Sequence, residues 1–274
     1  MIIIIMRRFN LFLWLLPSLL STPVFSNPVN KSTVLVCYGK LDPAKIKGYN
    51  YVILEEKNFK TEDIKQIKKN NKNVLAYISL GEVNSNAIHY KLLKNRTLGK
   101  NNNWDSYYLN LKDKSTSVVL MSLIKKVLDK GFDGLFLDNI DNFSSFGPQF
   151  AQRNELVSLI QRIKKEYPNH VLVQNSGLEL IPDTKNFIES VLFESVATDF
   201  SFTDNTYKLR ENNDFTIRLK NIIEASSKYK IPVLLIEYAD NKLLYDQIVK
   251  RLSSTNFEYF IGKIDLQSVP NFTK

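Results

Sequence analysis

The sequence predicts an α/β chain folded as one closed (β/α)8 barrel of the TIM type, and three observations carry that expectation. Eight short runs of Val, Ile, Leu, Tyr and Phe recur between residue 34 and residue 264. They are apolar throughout rather than alternating, as strands buried on both faces of a parallel sheet are. Segments of helical spacing separate them, which is the order of a repeated β–α unit. An open doubly wound sheet is the alternative, but it usually carries a glycine-rich phosphate loop after an early strand, and the chain has neither G-x-G-x-x-G nor a P-loop.

Taken in order, the chain begins with Arg7 and Arg8 ahead of an apolar run from Leu11 to Leu20. Small residues from Thr22 to Ser26 then suit a signal peptidase. The run is shorter than the roughly 20 residues that cross a bilayer, so no stable membrane span is expected after cleavage. Residues 1–26 are read as signal peptide, 27–274 as one barrel domain, and the protein as secreted or periplasmic. The strands are expected at Val34 to Tyr38, Tyr51 to Leu54, Val74 to Leu80, Gly134 to Asp138, Val171 to Asn175, Val191 to Glu194, Val233 to Tyr238 and Tyr259 to Ile264. Helices are expected at Thr61 to Asn70, opening with Thr and acidic residues as its cap, at Ser117 to Lys130, and at Asn154 to Tyr167. Phe215 to Tyr229 and Leu243 to Leu252 complete the series. In the second helix Val118, Met121, Ile124, Val127 and Leu128 share one face. The long connection from about Asn84 to Ser115 holds Trp104, Tyr107 and Tyr108 and reads as a binding loop.

Composition narrows the function classes. The net charge of +9 lies in scattered lysines such as Lys65, Lys68, Lys69 and Lys72, not in one aromatic-interleaved patch, so a solvated surface is expected and nucleic-acid binding is not. Cys37 is the single cysteine; it excludes an internal disulfide and sits in an apolar run as a core thiol. His89 and His170 are too far apart in sequence to suggest a metal cluster, and no cofactor is expected. G-x-S-x-G is missing, so a serine hydrolase has no anchor. A monomer is the expectation.

In such a barrel the chemistry sits where strands end, and here most strands end in carboxylates. Glu55 and Glu56 follow the second strand, Glu82 the third, Asp138 and Asp141 the fourth. Glu194 ends the sixth, Glu237 and Asp240 the seventh, Asp265 follows the eighth, and Gln174 and Asn175 end the fifth. Some cap the following helices. Asp138 and Glu194 terminate their apolar runs directly and rank first. Two carboxylates, one to protonate a leaving oxygen and one to attack or stabilise an oxocarbenium-like centre, are the requirement of glycoside cleavage. Tyr38, Glu55, Tyr77, Glu82, Trp104, Asp141, Asn175 and Glu237 are expected to touch a polysaccharide substrate.

Two blocks give the chain a family resemblance. Val74-Leu75-Ala76-Tyr77-Ile78-Ser79-Leu80-Gly81-Glu82 and Gly131-Phe132-Asp133-Gly134-Leu135-Phe136-Leu137-Asp138-Asn139-Ile140-Asp141 resemble the signature segments of glycoside hydrolase family 114. The resemblance implies a barrel with endo-α-1,4-polygalactosaminidase activity, and it implies Asp138 and Glu194 as the catalytic pair, nucleophile and general acid/base respectively. The segment Val83 to Tyr90 and Glu55 depart from the family pattern in the substrate region. A non-catalytic carbohydrate-binding barrel is the alternative reading.

Overall fold

Eight parallel strands wrap into a barrel in the computed structural model of the protein, which describes residues 33–272. They are β1 (Val34–Cys37), β2 (Tyr51–Leu54), β3 (Asn73–Ser79), β4 (Gly134–Asp138), β5 (Val171–Asn175), β6 (Ser190–Glu194), β7 (Val233–Tyr238) and β8 (Glu258–Gly262), hydrogen-bonded in chain order. β1 and β8 lie side by side. Tyr38 N–H donating to Leu266 O at 2.7 Å and Asn50 Nδ2 donating to Glu258 at 2.7 Å tie this seam. The expected signal peptide falls outside the described residues.

Register decides which side chains face inward. Val36 pairs with Ile53, Ile53 with Leu75, Phe136 with Val173 and Ile236 with Phe260. Paired residues in a parallel ladder point to the same face, so these side chains share the barrel interior, and all are buried. Their neighbours in sequence point outward and are buried too, beneath the helices, which is why each strand reads as a continuous apolar run.

Five helices of eight residues or more connect the strands: α1 (Thr61–Lys68), α2 (Lys114–Leu128), α3 (Arg153–Glu166), α4 (Asn212–Tyr229) and α5 (Lys242–Leu252). Ile64 and Ile67 of α1 and Leu120, Ile124 and Val127 of α2 join the core. Val118 does not: it is 59% exposed, because Leu120 and Thr116 take the buried stripe that the sequence assigned partly to it. The cap of α1 is also displaced. Lys60 is the N-cap, its backbone N–H bonded to Asp63 Oδ2 at 2.8 Å, and Thr61 is the first helical residue.

The Gly131-Phe132-Asp133-Gly134 segment has a physical cause. Gly131 turns the chain out of α2 at φ 97°, a conformation that penalises a side chain. Asp133 takes the Val74 N–H at 2.9 Å and pairs with Lys68 at 2.7 Å, fixing the start of β4 beside β3. A Cβ on Gly134 would stand 1.8 Å from Val171 O, so only glycine lets β4 and β5 approach there.

Two insertions rise from the strand ends. The long connection after β3 is not an irregular loop but a three-stranded antiparallel sheet, in which Ser106–Leu109 pairs with both Glu82–Asn84 and Thr97–Asn101. Its Thr97–Asn101 strand is mostly exposed and polar, so it carries no apolar signal. After β6 a hairpin pairs Thr198–Ser201 with Thr206–Leu209.

Candidate active site

Parity along the strands gathers the polar ends of five of them at one mouth of the barrel. Ser79 pairs with Asp138, Leu137 with Gln174, Asn175 with Leu192, and Glu194 with Ile236. Tyr77, Asp138, Asn175, Glu194 and Tyr238 therefore face the same interior. A cavity of about 1090 Å³ opens above them, lined also by Tyr38, Glu82, Trp104 and Asp141.

The hydrogen bonds at its floor form one chain. Tyr77 OH donates to Asp138 Oδ2 at 2.8 Å. Asn175 Nδ2 donates to Asp138 Oδ1 and to Glu194 Oε1, each at 2.7 Å. Tyr238 OH donates to Glu194 Oε2. Because the Asp138 carboxylate presents only acceptors, the Asn175 amide turns its nitrogen toward the pair and spans it. Two bonds of 2.7 Å from one nitrogen hold the facing oxygens within about 5.4 Å, and the ~120° between amide N–H bonds brings them to roughly 4.7 Å.

The two acids are not equivalent. Burial raises Asp138, but three donors oppose it: Asn175, Tyr77 and the backbone N–H of Asn139. Burial and the neighbouring Asp138 charge push Glu194 up to about 7, with only Tyr238 and Asn175 opposing. Near neutral pH the pair therefore holds its proton on Glu194 and its charge on Asp138.

Each of the three floor residues Asp138, Asn175 and Glu194 is followed by a non-glycine residue in the left-handed region: Asn139 at φ 62°, Ser176 at φ 57° and Ser195 at φ 54°. These reversals turn the backbone off the barrel directly above the site, at a strain held by surrounding bonds. Ser79 Oγ donates to Asn139 Oδ1 at 2.5 Å, Gln174 Nε2 donates to Ser176 O at 2.8 Å, and Arg210 grips Ser195 O at 3.1 and 3.0 Å.

Other sequence-expected residues are distributed differently. Glu82 lines the cavity but is 6% exposed, accepting from Asn142 at 2.8 Å and from Asn101 and Ser106. It ties the antiparallel sheet to the loop after β4. Trp104 is half-exposed on the cavity rim and meets Phe202 of the hairpin edge-to-face at 5.2 Å. Asn175, expected to bind substrate, instead spends both amide protons on the two acids.

Glu55 and Glu237 are outside the cavity lining, contrary to expectation. Glu55 pairs with Lys57 at 2.8 Å. Glu237 lies one residue out of phase with Glu194, so it faces away from the barrel interior and is fully buried. Its oxygens accept the N–H groups of Val196 (3.1 Å), Ala197 (2.8 Å) and Thr198 (3.0 Å) and the Thr198 hydroxyl (2.6 Å), anchoring the root of the hairpin.

A barrel with an Asp, a Glu and a shared amide at its open end is matched by one family model, that of glycoside-hydrolase family GH114, over residues 25–273. The chain belongs to family GH114. Among solved structures, this GH114 chain resembles the glycoside hydrolase domain of PelA from Pseudomonas aeruginosa. The TM-score is 0.78 at 23% identity, covering 88% of this chain and 98% of that one. It also resembles Aspergillus fumigatus Ega3 in complex with galactosamine, with a TM-score of 0.66 at 16% identity over 92% and 98% of the two chains. At these identities the likeness is one of fold. An uncharacterized protein of Methanocaldococcus jannaschii is 24% identical over 238 residues, or 80% of this chain, and the match spans 66% of that relative's length.

Within this GH114 barrel, sequence reasoning missed Tyr238 and the cavity wall built by α4. Tyr238 stands two residues after Ile236, the partner of Glu194, and strand parity alone was the signal for it. Asp214, Ile217 and Arg218 of α4 line the cavity through a helix face that no strand-end argument reaches. Among the described residues no group of three or more His, Cys, Asp or Glu side chains is arranged to hold a metal ion, and no helix is long and apolar enough to cross a membrane.

Proposed function

We propose that the protein is a secreted glycoside hydrolase that cleaves galactosamine-containing polysaccharide internally, with Asp138 as nucleophile and Glu194 as general acid/base. The observation that carries this reading is the single Asn175 amide bonded to both acids. It keeps them near the spacing of retaining enzymes, about 5 to 5.5 Å, and short of the 6.5 Å or more that an inverting pair needs to admit a water. Glu194, protonated near neutral pH, gives its proton to the glycosidic oxygen while ionised Asp138 attacks the anomeric carbon. The leaving chain departs with that proton. Glu194, now ionised, then takes a proton from the water that displaces Asp138 from the sugar.

Electrostatics supports an amino-sugar polymer. Seven carboxylate residues line the cavity against one arginine, Arg218, in a chain of net charge +9. Such a site draws in cationic sugars and repels anionic ones. The galactosamine bound to Ega3 agrees with that choice. Trp104 and Phe146, both exposed on the rim, offer apolar faces to sugar rings, and the Tyr38 hydroxyl, without a hydrogen-bond partner among the described residues, is available to a sugar hydroxyl.

Reducing-end release from a panel of amino-sugar exopolysaccharides and α-linked galactosamine oligomers tests the reading. Cleavage is expected from the mature protein and not from folded Asp138→Asn or Glu194→Gln, with the α-anomer as first product. Saccharide binding without cleavage by the unmodified protein would replace the enzyme with a carbohydrate-binding barrel.

A further inference from the structure

The peptide that follows Glu194 is held differently from its counterparts after the other two floor residues. Asn139, after Asp138, is held through the Ser79 hydroxyl, and the carbonyl of Ser176, after Asn175, takes the Gln174 amide, so both of those turns rest on neutral groups. After Glu194 the fixing groups are charged. Arg210 Nε and Nη2 donate to Ser195 O at 3.1 and 3.0 Å, and the N–H of the same peptide, on Val196, donates to Glu237 Oε1 at 3.1 Å. Ser195 N–H donates to Ile236 O at 2.9 Å. One peptide unit thus lies between a guanidinium at its oxygen and a carboxylate at its hydrogen, the order that its dipole favours.

Both clamping residues are withdrawn from water. Glu237 is fully buried, and the Arg210 side chain is 12% exposed. Arg210 also pairs through Nη1 with Asp214 of α4 at 2.8 Å, so its fork is fixed from a second side. Anchoring the hairpin would not by itself call for Arg210, because Arg251 ties the same hairpin down, donating to Ala197 O, Arg210 O and the Asn212 side chain. What Arg210 adds is a grip on the peptide adjoining Glu194. Ser195 stands there at φ 54°, a conformation that an unclamped serine would leave for the extended or helical region. Leaving it would rotate the chain that carries Glu194 and swing its carboxyl away from the leaving oxygen.

We infer that Arg210 is a positioning residue for the acid step, acting with Glu237 through the Ser195–Val196 peptide to aim Glu194. The inference rests on the proposed glycosidase reading. Its signature is selective: a badly aimed acid slows the departure of leaving groups that need a proton and spares those that leave without one.

The test measures kcat/KM, which reports formation of the glycosyl–enzyme, on aryl α-glycosides of a galactosamine oligomer graded from dinitrophenyl to phenyl. Arg210→Lys keeps the charge but not the fork. It should lose about 100-fold on the phenyl glycoside and little on the dinitrophenyl one, so that the dependence on leaving group steepens. Arg210→Gln, with an uncharged donor, should steepen it likewise and serves if circular dichroism shows the lysine variant unfolded. Arg251→Lys loosens the hairpin without touching the Ser195–Val196 peptide; it should lower the thermal midpoint and keep the leaving-group dependence of the parent. Equal loss across the series in a folded Arg210 variant, or the same steepening in Arg251→Lys, would overturn the inference and leave the glycosidase reading standing. A parent protein that cleaves no member of the series and none of the polymers would remove that reading and the inference together.

Discussion

Tyr238→Phe is the sharpest probe of the acid/base assignment. The hydroxyl donates to Glu194 Oε2, and the residue is 3% exposed, so phenylalanine keeps the ring's packing and removes one donor. A hydrogen bond to a charged group is worth about 1.5 to 3 kcal/mol, and one pKa unit corresponds to about 1.4 kcal/mol, which bounds the shift at roughly one to two units. The Asn175 donor remains, so the lower figure applies. The donor favours the ionised form; losing it raises the Glu194 pKa above its value of about 7 and keeps the acid protonated to higher pH. The basic limb of kcat/KM, followed by reducing-end release between pH 4 and 10, should therefore move up by about one unit. A limb that stays in place while activity falls equally at every pH would mean that Tyr238 only packs, and a downward shift would refute the assignment of Glu194 as the acid.

Three further outcomes follow from the same geometry. Asn175→Ala removes the shared donor, and kcat should fall by about 100-fold, as misplacing reacting groups by an ångström does, while the thermal midpoint measured by circular dichroism changes little; Asn175→Gln should not restore it. Glu237→Ala leaves four buried donors at the hairpin root without an acceptor, and urea denaturation should show a loss of about 3 kcal/mol, less than the sum of four separate penalties. Gly134→Ala drives a Cβ into the Val171 carbonyl and should cost more than about 3 kcal/mol or prevent folding, whereas Gly99→Ala, with nothing within 4 Å, should fall within about 0.5 kcal/mol of the parent in the same assay.

Much of the barrel was legible because its strands are buried on both faces, so each announces itself as an apolar run. All eight runs are strands, with boundaries that move by two residues at most, as at β8. The five long helices also sit where apolar spacing put them. The errors arise where that signal fails. Val118 fits the spacing of α2 by sequence, but the stripe that packs is centred on Leu120 and Ile124. The three-stranded sheet above β3 buries Val83 and Leu109 but leaves its outer strand Thr97–Asn101 mostly exposed, so the segment has no continuous apolar run and reads as a loop.

By itself the sequence determined the number and order of the strands and the inward acids Asp138 and Glu194. These are local consequences of strands buried on both faces that end in a polar residue at the barrel mouth. Only the tertiary structure decided that Asn175 joins the two acids instead of waiting for substrate, that Tyr238 rather than Glu237 serves Glu194, and that Glu237 holds the hairpin. Those distinctions depend on register between strands far apart in the chain. A shift of one residue exchanges inside for outside, and a strand's own sequence does not contain its neighbour's register.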